Sequence, residues 1–288
     1  MTPSTNLREL ASRWLRADRE AWRAFFIYGV LYATLGPLVP LAVQGIVSNF
    51  SYVDREVNLL TVVVALGAVL ALIQVARYAQ IILVEILERR MVARLVPQFR
   101  HVPAEKQIFF FEVALLQKSL SKWAIEGLEL GLILLIAPFV LMTYHPVFVV
   151  FSFGLWAVFY YVVRTGQKGL ETALIESAEK YHCWEQLQAG EDVDGSNWLR
   201  ARQEHFRILQ RQVRSLLAAQ FIGPVLLILV SAILFYRAEL SLGQFVAIEL
   251  IGGGLFFALG KLAKFMETQY GLMTSMIKIE LALGGEDV

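Results

Sequence analysis

The stretch "GGGLFFALGKL", residues 252–262, is the first place to look for chemistry, because glycines followed by Gly-Lys suggest a loop that wraps the phosphates of ATP. Such a loop needs Gly, four residues, Gly-Lys and then Ser or Thr, whose hydroxyl reaches the magnesium ion. Here the position five before Gly260 is Leu255, and Lys261 is followed by Leu262, so the pattern fails at both ends. "DVDGSNWLRARQE" has the outline of a calcium loop. The glycine required six places from the first Asp is Asn197, however, and the twelfth position is Gln203 in place of Glu. A turn between helices is the better reading. His101, His145, His182 and His205 are scattered, and the single cysteine, Cys183, excludes an internal disulfide or a cysteine zinc cage. No nucleophile elbow or zinc-protease motif occurs, so no catalytic residue set and no metal site are expected.

Ionisable groups within apolar runs carry more information, since an unpaired charge in hydrocarbon is expensive. Arg77 in "LIQVARYAQII" and Glu249 in "FVAIELIGG" are the clearest cases. Three roles are open to them: pairing with each other, lining a water-filled path, or, for Glu249, facing a substrate cation. Gln44, Gln74 and Gln80 are candidates for the same path, whereas Glu129 is placed near the membrane interface and set aside.

These residues sit in a chain that is 57% hydrophobic and 18% charged, against roughly 45–50% and about 25% in soluble domains. Apolar runs able to span a bilayer fall at 24–49, 58–84, 125–144, 147–163, 216–236 and 240–260, which predicts six crossings. Before them, "MTPSTNLRELASRWLRADREAW" lacks the pattern of a cleavable signal. Its Leu7, Leu10, Trp14 and Leu15 recur at helical spacing opposite arginines, so residues 1–23 are expected to form an amphipathic helix on the membrane surface. Lys and Arg number five in 1–23, seven in 85–124, eight in 164–215 and three in 261–288, while the opposite turns hold only Arg55 and Arg237. Basic residues mark the cytoplasmic side, which predicts cytoplasmic termini and cytoplasmic long connections. A net charge of +1 gives no field for nucleic acid.

The long connections keep helical periodicity through "VEILERRMVARLVPQFR" and "GQKGLETALIESAEKYHCWEQL". A helix from about 58 to 96 would be nearly 60 Å long, about twice the hydrocarbon thickness, so the spans should project beyond the bilayer. Pro97 and Pro103 disfavour helix just before them, and "QAGEDVDGSN" carries turn signals. Each connection is therefore expected to be a hairpin: helix out, short connector, helix back.

This arrangement resembles the transmembrane domain of a type I ABC exporter, related to toxin- and peptide-secretion exporters. The resemblance covers about residues 20–284 and rests on "LGPLVPLAVQGIVSNF", "FFEVALLQKSLSKWAIEGLELG", "YHP" and "LSLGQFVAIELI" in that order. It implies an all-α membrane protein in which residues 24–284 form the six-helix transmembrane domain, with 285–288 as a tail. It also implies hairpin tips that press on ATPase domains. The first tip would expose Pro103, Glu105 and Lys106, and the second Glu179, Lys180, Tyr181, His182 and Trp184; the alternative is that these are plain solvated turns.

In that family an ATPase domain usually follows the sixth span. Here "IELALGGEDV" stands where the linker would begin, so ATP and magnesium are expected on a separate ATPase subunit and no cofactor on this chain. A second six-helix subunit, identical or not, would be needed to enclose a path, in a bacterial inner membrane and with a periplasmic membrane-fusion adaptor as a further partner. An ATPase-less scaffold for a secretion complex and a gradient-driven transporter or channel are the alternatives.

Overall fold

The computed structural model describes residues 15–50 and 59–283, and among them every regular element is helical. In chain order these are α1 (Arg19–Leu35), α2 (Leu38–Phe50), α3 (Leu59–Gln98), two short 3-10 turns (Phe99–His101 and Ala104–Phe109), α4 (Phe110–Met142), α5 (Val147–Ala189), α6 (Ser196–Tyr236) and α7 (Leu242–Leu283). Six segments are long and apolar enough to cross a membrane: 19–48, which α1 and α2 share, then 60–101, 106–142, 147–189, 196–236 and 242–262. Their outward faces carry Leu60, Val150 and Phe221 at 70–75% exposure. Water would not tolerate so continuous an apolar surface, whereas lipid does. The chain has the build of a multi-pass membrane protein.

Helix α7 is the centre of the bundle. Half of its most apolar window is buried, against 6% for that of α3, and it packs on α4, α6, α2 and α5. The main core runs along it, where Ile248, Leu255 and Leu259 meet Leu141, Phe148 and Leu227. A second core at the other end of α7 joins Leu272 and Ile279 to Leu95, Phe99, Val102 and Leu116. Small residues set the closest approaches. A Cβ on Gly223 would run into the ring of Phe256, and one on Gly169 into the phenol of Tyr270, so α6 and α5 lie nearer to α7 than any larger residue would permit.

Gly252 in the opening motif packs against Leu227, while a Cβ on Gly253 or Gly254 would meet nothing. The stretch is thus part of the α7 span and forms no loop.

Three boundaries differ from expectation. No break separates a surface helix from the first span at residues 23–24; α1 runs through that point from a turn at Asp18. The Asp18 backbone carbonyl accepts the Trp22 N–H, and its buried carboxylate is gripped by Arg90, at 3.2 Å, and by Arg94. Residues 1–14 of the anticipated surface helix lie outside the described residues, as does the tail 285–288. Second, the first span is interrupted at Gly36–Pro37, a glycine-proline pair that breaks helices because proline has no N–H to give. Third, α3 continues through Pro97 to Gln98. The chain leaves helical geometry at Val102, whose ψ of 134° is the extended form demanded before Pro103.

The turn after α5 falls at 190–195. Gly190 takes the left-handed conformation at φ 72°, and the Glu191 N–H returns to the Gln186 carbonyl, closing the helix end. On the other side, Asp194 accepts the Ser196 N–H at 3.0 Å and its hydroxyl at 2.9 Å. These two bonds hold the Asp194 carboxyl below its ordinary value of 3.8. The segment that resembled a calcium loop is this helix-linking turn.

Candidate functional site

Of the two charged side chains singled out within the spans, Arg77 has a counter-ion and Glu249 a hydroxyl partner. Arg77 on α3 lies 3.0 Å from Glu129 on α4, and its guanidinium stands over the ring of Tyr32 on α1, 5.3 Å from the centroid. One cation therefore ties three helices. Arg77 does not pair with Glu249, because α3 packs against α1 and α4 while α7 packs against α6. Glu249 is held by Ser231 on α6, with 2.6 Å between Oγ and Oε1. Glu129, set aside as interfacial, is the counter-ion.

The glutamines separate in the same way. Gln80 is 2% exposed, next to Gly29 of α1, and its Oε1 has no partner among the described residues. Gln44 accepts the Tyr144 hydroxyl at 2.8 Å, and Gln74 faces outward. Within one chain Arg77 and Gln80 both face α1, Gln44 meets the turn after α4, Glu249 meets α6, and Gln74 makes none of these contacts.

The two long connections meet at one end of the bundle. Phe109 stacks on Tyr181 at 4.8 Å between centroids and 24° between planes, and Tyr181 stacks on Trp184 at 6.0 Å and 26°. Pro103 and Lys106 are exposed, and the Lys106 ammonium donates to the Leu281 carbonyl near the end of α7 at 3.3 Å. The side chain of Glu105 is outside the described residues. Glu179, Lys180, Tyr181, His182 and Trp184 lie on the last turns of α5 and precede the turn itself. Lys180 and His182 are exposed, Glu179, Tyr181 and Trp184 half-buried, and Cys183 between them buried. Sequence reasoning picked out Tyr181 and Trp184 but missed Phe109, whose only signal is its place in the aromatic run "IFFF".

Just inside this end, α4, α5, α6 and α7 enclose a cleft of about 570 Å³. On one wall Glu112 bonds Lys278 at 2.8 Å and the Ser275 hydroxyl at 2.6 Å. On the other, Glu176 bonds Arg202 at 2.8 Å and His205 at 2.6 Å. Tyr270 closes the floor through a hydrogen bond from Gln212 at 2.9 Å, and burial pushes its phenol above the ordinary 10.0, so it stays a neutral hydroxyl. Glu112 and Glu176 are each engaged by a cation, so neither is a free base beside a nucleophile. These residues went unseen in the sequence because their partners lie 26 to 166 positions away.

Among the described residues no three His, Cys, Asp or Glu side chains could hold a metal together. No family model and no curated protein matches the chain.

Proposed function

We propose that this chain is a membrane-spanning permease subunit of an ATP-driven exporter of the type I ABC kind, built to be moved by an ATPase on another polypeptide. The observation that carries the reading is the shared end of the two long connections. Helices α3, α5 and α6, of 40, 43 and 41 residues, are each about 60 Å long, roughly twice the hydrocarbon thickness. The connection that follows α3 reaches the last turns of α5 at the Phe109–Tyr181 stack. Helices of that length extend beyond a bilayer, and the arginine- and lysine-rich composition of residues 85–124 and 164–215 favours a cytoplasmic position.

In this reading the ATPase grips the surface around Pro103, Lys106, Lys180, His182 and the half-buried Trp184, where aromatic anchors flanked by polar side chains suit docking. Hydrolysis of magnesium ATP happens on the partner. Two six-helix chains, identical or different, enclose the path in a bacterial inner membrane, with both termini cytoplasmic.

Affinity purification of the tagged chain from mild detergent tests the proposal. A stoichiometric ATPase should co-purify, and substituting both Lys106→Glu and His182→Glu should release it while the six-span chain still inserts. Recovery of periplasmic adaptors alone would favour a scaffold role. Flux in proteoliposomes driven by a proton or sodium gradient without ATP would replace the exporter reading with a gradient-driven carrier.

A further inference from the structure

Prolines inside membrane spans leave carbonyls without ladder donors, and the chain treats two of them differently. Pro138 in α4 withholds the N–H that the Leu134 carbonyl would accept. The indole of Trp156 fills that role, donating to the Leu134 carbonyl at 3.1 Å. Pro37 likewise withholds a donor from Ala33. The neighbouring Gly36 N–H goes to Tyr32, and the Val39 N–H, which would serve Leu35 in an unbroken helix, goes to Gly36. No side chain among the described residues takes the place that Trp156 takes at Pro138.

This break borders a cavity of about 280 Å³, lined by Ala33, Gly36 and Pro37 on one side and by apolar side chains of α3, α4 and α7, among them Ile133 and Ile251, on the other. Gly36, in that lining, is exposed. Gly254 completes the α7 wall, and a Cβ on it would meet no atom within 4 Å. The lining residues include no formally charged side chain.

We infer that the cavity at the Gly36–Pro37 break binds an uncharged, largely apolar molecule that donates an N–H or O–H to the Ala33 carbonyl, which Pro37 leaves without a ladder donor. Irregular backbone at membrane depth is tolerated where it is buried in protein or lines a cavity. Position decides against an ordinary lipid tail as the occupant. Gly36 lies close to the middle of the 19–48 segment and Gly254 close to the middle of 242–262, and at that depth a phospholipid presents only hydrocarbon, with no donor. An amide- or hydroxyl-bearing solute on its way through the membrane satisfies both the apolar walls and that carbonyl. The inference rests on the membrane-spanning reading of the helices and is independent of how transport is powered.

The test uses the full chain in nanodiscs and two photoreactive probes of equal length, an N-alkyl amide and the corresponding alkyl ester, which lacks the N–H. The amide should label the segment from Ala33 to Pro40 about three- to ten-fold more than the ester, the change one net hydrogen bond makes. Gly254→Leu, which fills the cavity, should abolish the difference. Gly253→Leu, with equally open space but no place in the lining, should preserve it and so controls for folding. Equal labelling by the two probes would overturn the inference and point to passive lipid filling. An amide preference that survives Gly254→Leu would place the site elsewhere. Neither result depends on whether an ATPase co-purifies.

Discussion

At the scale of single residues, the most consequential contact is the one between Arg77 and Glu129. Removing one partner leaves an uncompensated charge among apolar helices, which costs more than the pair is worth. Glu129→Leu should therefore destabilise the detergent-solubilised protein by about 2–3 kcal/mol, below the 3–5 kcal/mol of a fully buried pair, because Arg77 keeps 27% exposure. Arg77→Leu combined with Glu129→Leu should lie closer to the parent than Glu129→Leu alone. Scanning calorimetry of the three variants decides the matter, and simple additivity would refute the coupling. That an arginine inside an apolar run needs a partner was legible in the sequence; which partner was not. Glu129 is 52 positions away, and only the packing of α3 on α4 brings the two together.

At the scale of elements, the start of α6 depends on Asp194. Its folded carboxyl titrates below the ordinary 3.8 because ionised oxygens accept both Ser196 donors. The stabilisation is thus fully present above pH 3.8 and is lost as pH falls through the lower folded value. Hydrogen exchange at residues 196–200 should accelerate in that acid window relative to Asp194→Asn measured at the same pH, and two matching profiles would contradict the assignment. The six apolar runs were readable because a span needs about 20 predominantly apolar residues, a length of run that soluble helices seldom keep. The length of α3 was legible in its periodicity, but its continuation through Pro97 to Gln98 was not, because a proline reads as a stop and only the fold shows the helix tolerating it. The interruption of the first span lay in plain view as Gly36–Pro37, yet hydropathy averages over it, and a run that is apolar throughout does not reveal that it is two helices. The charged cleft was hidden for a different reason: Glu112, Glu176, Arg202, His205 and Lys278 each read as one more solvated charge on a long helix until four helices are laid side by side.

At the scale of the whole molecule, the distribution of lysine and arginine predicts which side each connection takes. Cys183 is the single cysteine and is buried, so a Cys183→Ala background permits cysteines to be placed at will. Lys106→Cys and His182→Cys should react with a membrane-impermeant maleimide only from the cytoplasmic side, and Arg237→Cys, in the turn between α6 and α7, only from the opposite side. Labelling of the first two from opposite faces would dismantle the topology. The face-to-face rings of Phe109 and Tyr181 have a mechanical implication as well. They join the connection between α3 and α4 to the last turns of α5, so under the exporter reading proposed above a push on either segment would load the other as well.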